Sequence, residues 1–150
     1  MGLNAESLAS KIDHIRIFLS LLKEKGIIFD AICINECWLE TFDDDLNIDG
    51  YNAFPLLRKV GAKGGLVTYI LNDYTTIDLE MYQGSQAWEG QFLELKGNGL
   101  RAKTMVGNIY VPPRGRGNFT DFKTNFLPII NSLSVKFNQI LISVTQMLTH

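Results

Sequence analysis

The sequence predicts an α/β domain in which mixed sheets are flanked by helices. Three observations lead to this prediction: an amphipathic helix opens the chain, an apolar run that stops on an acid follows it, and several short strand patterns precede a second helix. Helices placed before and after a group of strands in this order are typical of an α/β architecture. A length of 150 residues suits one such domain.

The first helix is predicted over residues 6–25. Its apolar positions recur every three or four residues, which places them on one helical face: Leu8, Ile12, Ile15, Leu19 and Leu22. Gly26 stands where a left-handed C-cap is wanted. Residues 1–4 are too short to be a full element of their own.

The central strand lies in residues 27–39, an apolar run that stops at Glu36. The run is apolar at both alternations, which indicates a strand buried on two faces. The last side chains of such a strand project into the crevice at the end of the sheet, where ligands usually bind. Glu36 is therefore a candidate functional carboxylate, and the alternative is a solvated acid that opens a loop.

The middle of the chain predicts further strands separated by turns. The predicted strands are residues 51–54, 66–71, 74–80, 88–96 and 100–111. Pro55 is expected to stop the first of them, and Gly97-Asn98-Gly99 predicts a hairpin. The acidic stretch 43–45 is interpreted as a solvated loop, because adjacent acids cannot all face one ion and no calcium-loop spacing is present.

A second amphipathic helix is predicted over residues 119–137, followed by a buried strand over 139–143. Pro128 lies inside this helix and should kink it or divide it in two.

Composition limits the cellular setting and the class of partner. The formal net charge of −2 gives no global basic field of the kind that attracts nucleic acid. Cys33 and Cys37 have no zinc-ligand partners nearby, which favours reduced thiols. No stretch is apolar enough for a membrane span or a signal peptide. We expect an intracellular protein, nuclear or cytoplasmic, that is not secreted and has no membrane partner.

Four side chains at the ends of elements are candidates for chemistry. Asn4 and Glu6 stand at the predicted helix entrance, Glu36 ends the central strand, and Tyr110 precedes two prolines. A carboxylate, an amide and a phenol suit a hard cation and a phosphate. The alternatives are a helix-capping role for Asn4 and a half-buried strand position for Tyr110.

These motifs, taken together, resemble the endonuclease/exonuclease/phosphatase superfamily, most closely the endonuclease domain of non-LTR (LINE-type) retrotransposons. The segments that carry the resemblance are Asn4-Ala5-Glu6, Asn35-Glu36-Cys37-Trp38-Leu39, Gly50-Tyr51, Gly64-Gly65-Leu66, Ile109-Tyr110-Val111-Pro112-Pro113 and Gln139-Ile140-Leu141-Ile142-Ser143. The resemblance implies a four-layer α/β sandwich that hydrolyses phosphodiesters with Mg²⁺ or Mn²⁺. It also implies DNA as the substrate and a reverse transcriptase domain in the parent polyprotein.

The resemblance assigns a role to each candidate residue. Glu36 would be the metal-binding glutamate, with Glu6 as a further acid near the metal. Asn4 would lie beside the metal and the phosphate, and Tyr110 would donate a hydrogen bond to the scissile phosphate. Two basic residues, Arg114 and Arg116, lie where relatives contact DNA.

The resemblance covers residues 1–143 and stops abruptly, so that residues 144–150 read as a divergent tail. Val144-Thr145-Gln146-Met147 stands where relatives have Gly-Asp-x-Asn, and the later Ser-Asp-His block has no counterpart in these 150 residues. The chain is therefore predicted to be an incomplete sandwich with little activity alone, exposing a sheet edge at residues 139–143. The alternatives are a non-enzymatic module that binds nucleic acid or protein, and a functionless retroelement relic.

Overall fold

The computed structural model describes residues 1–57, 64–82, 88–97, 99–112 and 119–146. The elements in chain order are β1 (Gly2–Asn4), α1 (Ile12–Glu24), β2 (Ala31–Asn35), a 3₁₀ turn (Asp44–Leu46), β3 (Tyr51–Leu56), β4 (Leu66–Leu71), β5 (Thr75–Tyr82), β6 (Glu89–Lys96), β7 (Thr104–Val111), α2 (Phe119–Lys136) and β8 (Gln139–Gln146). The described residues form two four-stranded mixed sheets and two helices. The predicted α/β class is confirmed.

The chain divides into two compact units, the first from Met1 to Asn72 and the second from Asp73 onward. In the first unit the strand order is β1-β2-β4-β3, with β1 parallel to β2 and the other neighbours antiparallel. Helix α1 packs its predicted apolar stripe onto one face of this sheet. The buried cluster between them includes Leu8, Ile12, Ile15, Ile32, Ile34, Val67 and Tyr69.

Helix α1 begins at Ile12 rather than near residue 6. The backbone of Glu6 has a φ of 47° and that of Ser7 a φ of 93°, and a right-handed helix cannot contain either value. Residues 1–4, predicted to be too short for an element, contain the parallel strand β1 instead.

Strand β3 continues through Pro55, which was predicted to stop it. The reason is position, because β3 is an edge strand of its sheet. A proline without an N–H is tolerated where the strand has a neighbour on one side only.

In the second unit the strand order is β5-β6-β7-β8, with β7 and β8 parallel and the other neighbours antiparallel. Helix α2 covers one face of this sheet and buries Trp88, Phe92, Met105, Ile109, Val111, Phe122 and Phe137. Pro128 does not divide α2, which is one helix from Phe119 to Lys136. Apolar residues on both sides of the proline, Phe126 and Ile129 among them, pack against the same cluster and hold the two halves together.

Two boundaries in the second unit differ from the prediction. Strand β7 begins at Thr104 rather than at residue 100, so residues 97–103 join β6 and β7, which pair in antiparallel orientation as the predicted hairpin requires; Asn98 lies outside the described residues. Strand β8 was predicted to be buried, but it is an edge strand with Leu141 and Val144 about half exposed. Among the described residues, no strand lies beyond β8 in this sheet, which agrees with the predicted sheet edge at residues 139–143. In the described part of the chain, neither helix has the length and apolar content to cross a membrane.

Candidate functional site

Glu36 is the first residue after β2 and is buried, with 5% of its surface exposed. The strand before it is also buried, because sheet neighbours lie on both of its sides and α1 packs on one face. A solvated acid opening a loop, the alternative considered from the sequence, does not match this burial. Carboxylates are seldom buried to this degree, and a buried carboxylate at the end of a central strand makes Glu36 the strongest candidate for chemistry in the first unit.

Backbone hydrogen bonds hold the segment around Glu36 from both sides. On one side, the amide nitrogen of Ser7 donates to the carbonyl oxygen of Glu36 at 2.9 Å, and that of Leu8 to Cys37 at 3.0 Å. On the other side, the amides of Cys37 and Trp38 donate to Gly65 and Gly64 at 3.1 and 2.9 Å. Pairing therefore continues past the ends of the strands and fixes the loop that carries Glu36.

The same segments contain a cluster of left-handed backbone conformations. Among the described residues, positive φ values outside glycine occur at Glu6 (47°), Ser7 (93°), Glu36 (54°) and Trp38 (53°). Each costs about 1–3 kcal/mol and persists only where the surroundings impose it. Such strain concentrates at binding and catalytic sites, which makes this loop pair the candidate site on backbone grounds alone.

Asn4 lies next to Asn35 in the parallel register of β1 and β2, one residue before Glu36. Asn4 is exposed and Asn35 is fully buried, so the two amides and the Glu36 carboxylate occupy one end of the sheet. Asn4 is not a helix cap, since the residue before α1 is Lys11. Sequence reasoning missed Asn35; the signal available was a polar residue ending an otherwise apolar strand. Glu6 is exposed in the loop after β1.

Tyr110 lies on β7 in the second unit and is 4% exposed, more buried than the half-buried position considered from the sequence. Its register neighbours are Glu89 on β6 and Thr145 on β8. It shares a face of the sheet with Asn108, two residues earlier, which pairs in register with Gln91. Tyr110 is thus part of a buried polar row on the face turned away from α2.

Three of the predicted residues lie at the same end of the first sheet: Asn4, Glu6 and Glu36. Tyr110 belongs to the second unit, and its role at the phosphate stays a prediction. The proposed DNA contacts, Arg114 and Arg116, lie outside the described residues.

The donor set around Glu36 fits one class of metal ion. Within the described ranges, no group of three or more His, Cys, Asp or Glu side chains could enclose an ion. Magnesium does not require such a cage, because it is commonly held by one or two carboxylates, retained waters and substrate phosphate. The residue types at this end of the sheet, the carboxylate of Glu36 and the side-chain amides of Asn4 and Asn35, are oxygen ligands of the kind that magnesium uses.

No protein-family model matches the chain, and no curated protein matches it in sequence. Solved structures do match. The chain superposes with a TM-score of 0.66 and 13% identity on a mannosyl-6-phosphatase from Bacteroides thetaiotaomicron, covering 93% of this chain and 57% of that one. An endonuclease/exonuclease/phosphatase family protein from the same organism superposes with a TM-score of 0.65 and 13% identity, covering 93% of this chain and 54% of that one. The human nocturnin catalytic domain, with a bound sulfate anion, superposes with a TM-score of 0.52 and 13% identity, covering 87% of this chain and 56% of that one.

These likenesses establish the fold. The chain has the endonuclease/exonuclease/phosphatase fold over most of its own length, as the resemblance in sequence implied. It spans little more than half the length of the structures that it matches.

Proposed function

We propose that this chain provides the metal- and phosphate-binding part of a Mg²⁺-dependent phosphoester hydrolase. The observation that carries the proposal is Glu36, a buried carboxylate on a strained loop that hydrogen bonds hold from both sides. The matched structures add support, since one is a phosphatase and another holds sulfate, a tetrahedral oxyanion like phosphate.

Each residue has a definite task in this proposal. The Glu36 carboxylate would hold the ion, and the Asn4 side-chain amide would donate to a phosphate oxygen beside it. Asn35 would position the Glu36 loop from within the sheet. The ion, when bound, neutralises charge that develops on the phosphate and on the leaving oxygen.

The finer proposal is that the parent activity is DNA nicking of the retrotransposon type. It is supported by the sequence segments around Asn4, Glu36 and Tyr110 and by the two arginines at 114 and 116. Because Val144-Thr145-Gln146-Met147 stands where relatives have the water-positioning acid of Gly-Asp-x-Asn, we expect the 150-residue chain to bind metal and phosphate but to turn over little substrate.

The primary test is metal binding. Mn²⁺ titration followed by electron paramagnetic resonance should give one bound ion, and Glu36→Gln should weaken its binding by at least about tenfold, because it removes the anionic ligand and keeps the volume. Glu24→Gln, at an exposed acid that ends α1, is the matched control and should leave binding unchanged. Equal Mn²⁺ affinity in both variants would remove Glu36 from the site.

A second measurement addresses the phosphate. With Mn²⁺ present, Asn4→Ala should weaken binding of inorganic phosphate while leaving the Mn²⁺ affinity close to that of the parent chain. Asn52→Ala, at an exposed position on β3, is the control. Unchanged phosphate affinity in Asn4→Ala would show that this amide does not face the anion.

Plasmid nicking separates the finer proposal from a binding module. The purified chain with Mg²⁺ should leave supercoiled plasmid largely intact, and duplex DNA should compete with phosphate for the metal-loaded protein. A different result would favour the non-enzymatic module. In that case the DNA affinity would be the same with and without metal and in Glu36→Gln, but it would fall with added salt and in the double variant Arg114→Ala/Arg116→Ala. Mg²⁺-dependent nicking that Glu36→Ala abolishes would show that the chain is active by itself.

A further inference from the structure

Glu94 is a buried carboxylate of the second unit that the proposed metal site does not use. It lies on β6 two residues after Phe92, so its side chain points to the face of the sheet that α2 covers. Only 8% of its surface is exposed, and the buried cluster on that face is built from apolar residues such as Phe92 and Met105. A charge in such surroundings costs stability, and departures of this kind concentrate at functional sites.

The carboxylate of Glu94 is only loosely paired. Its Oε1 lies 3.8 Å from Nζ of Lys103 and 3.9 Å from Nζ of Lys96, and both distances exceed hydrogen-bond length. In the described part of the chain, neither carboxylate oxygen accepts a hydrogen bond. The two lysine side chains are about half exposed, at 48% and 57%. Glu94 therefore retains most of its acceptor capacity for another molecule.

Glu94 lies in the wall of a cavity of about 480 Å³, a volume typical of small-molecule pockets. The apolar part of the wall consists of Leu79, Phe92, Pro128, Ile129, Leu133 and Phe137. Lys103 and Lys136 add positive charge to the same wall. The Nζ of Lys103 lies 4.8 Å from the ring centroid of Phe137, so an ammonium group, an aromatic ring and the Glu94 carboxylate are close neighbours.

This cavity is separate from the polar row that contains Tyr110. Glu94 pairs in register with Met105, which is five residues before Tyr110 on β7, or about 17 Å along the strand. The two side chains also lie on opposite faces of the sheet, because Met105 packs toward α2 and Tyr110 does not. The described lining residues all lie between positions 79 and 137, and none of them belongs to β8.

We propose that this cavity binds a guanine nucleotide. The Watson–Crick edge of guanine carries two adjacent donors, N1–H and the N2 amino group, and the two oxygens of a carboxylate accept such a pair. The planar base would stack on the ring of Phe137, and Lys103 and Lys136 would hold the phosphate. Adenine places an acceptor, its N1, where guanine has a donor. Glu94 therefore selects against adenine by repulsion between two acceptors.

Comparison of nucleotides on the parent chain is the first test. Isothermal titration calorimetry is carried out with EDTA present, so that the phosphate is not held through a metal at Glu36. GMP should bind at least about tenfold more tightly than AMP, because only guanine makes the paired hydrogen bonds. IMP has the N1–H donor but lacks the amino group, so its affinity should be intermediate. Equal affinity for GMP and AMP, or no binding of GMP at millimolar concentration, would overturn the proposal.

Glu94→Gln tests the carboxylate itself. Glutamine keeps the volume, but its amide offers one donor and one acceptor, which suits the edge of adenine rather than that of guanine. The affinity for GMP should fall at least about tenfold, and the affinity for AMP should not fall. A purely structural role of Glu94 would leave the ratio of the two affinities unchanged, and that result would contradict the proposal. Asp121→Asn, at an exposed acid in the first turn of α2, is the matched control.

Lys136→Ala tests the phosphate contact. It should weaken the binding of GMP and leave the affinity for guanosine unchanged, since the nucleoside has no phosphate. Lys123→Ala, at an exposed position near the start of α2, is the control and should change neither affinity. An equal loss for GMP and guanosine in Lys136→Ala would overturn the assignment of this end of the cavity. The Mn²⁺ titration of Glu36 does not involve Glu94, so each proposal can fail without the other.

Discussion

The amide nitrogen of Ser7 donates a hydrogen bond of 2.9 Å to the carbonyl oxygen of Glu36, and both residues have left-handed backbones, with φ values of 93° and 54°. Neither conformation is favourable for an L-residue with a side chain. The hydrogen bond continues the parallel pairing of β1 and β2 past the ends of both strands. The hydrogen bond therefore stabilises both strained residues, and it fixes the backbone that carries the Glu36 side chain.

Replacement of Ser7 by glycine should stabilise the protein. Glycine adopts a φ of 93° without steric cost, and the strain removed exceeds the entropy that glycine adds to the unfolded chain, for a net gain of about 0.5–1 kcal/mol. Urea unfolding followed by circular dichroism measures the change. Ser20→Gly, at an exposed position inside α1, is the control and should lose about 1 kcal/mol. A loss of stability in both variants would mean that Ser7 is not strained.

The alkaline pH dependence of stability should be controlled largely by Tyr69. This side chain is fully buried and donates a hydrogen bond of 2.5 Å to the carbonyl oxygen of Leu46, and burial raises the pKa of its phenol far above the ordinary value. The folded protein keeps a proton that the unfolded chain releases above a pKa of about 10. The stabilisation is therefore complete below pH 10 and falls above it by about 1.4 kcal/mol per pH unit.

Tyr69→Phe tests that dependence. At pH 7 it should cost about 1–3 kcal/mol, because the buried carbonyl of Leu46 loses its donor. Between pH 10 and 11 its stability should fall less steeply than that of the parent chain. A residual slope is expected from Tyr51, whose pKa burial also raises. Urea unfolding at several pH values measures both effects. If the free energy of unfolding falls equally steeply with pH in Tyr69→Phe and in the parent chain, Tyr69 does not control the alkaline pH dependence.

The sequence predicted the parts of the site that depend on local pattern. An apolar run with an acid at its end identified β2 and the burial of Glu36, but β2 covers only Ala31–Asn35 of the run 27–39, and Ile27 and Ile28 are about half exposed. It could not predict the left-handed loop at Glu6 and Ser7, because those conformations are imposed by hydrogen bonds from residues thirty positions away. The start of α1 was misplaced for the same reason.

Edge positions were the other source of error. Pro55 looked like a strand terminator and β8 looked buried, since an apolar β-branched segment has the same pattern in the centre of a sheet and at its edge. Which strand lies at an edge is a property of topology, and short sequence patterns do not encode it.

Arg16 should contribute to stability through backbone carbonyls rather than through its ion pair. Its Nη2 donates to the carbonyl oxygens of Asp45 and Asn47 at 2.7 and 2.6 Å, which ties α1 to the 3₁₀ turn. Arg16→Lys removes the planar guanidinium that makes these hydrogen bonds, and it should lower the free energy of unfolding by about 1–2 kcal/mol. Asp13→Asn removes only the partner of a salt bridge whose acid is 82% exposed, so its effect should stay within about 0.5 kcal/mol. Equal losses in urea unfolding would contradict this division.

Gly90 should be intolerant of even one methyl group. A Cβ at this position would lie 2.5 Å from Cζ3 of Trp88, a rigid ring that cannot move aside. Phe122 and Phe126 contact that indole edge-on, with centroid distances of 5.5 and 5.9 Å, so the ring is confined from the side of α2 as well. Gly90→Ala is therefore expected to destabilise the protein by about 1–3 kcal/mol through overpacking.

Gly99→Ala provides the comparison, because a Cβ at Gly99 meets nothing within 4 Å. Its effect on the free energy of unfolding should stay within about 0.5 kcal/mol. Thermal unfolding and tryptophan fluorescence measure the pair: Gly90→Ala should lower the midpoint and shift the emission of Trp88 toward the red as the indole is displaced. If both alanine variants unfold alike, the packing of α2 on this sheet is looser than the contacts of Trp88 imply, and the aromatic cluster does not anchor the second unit.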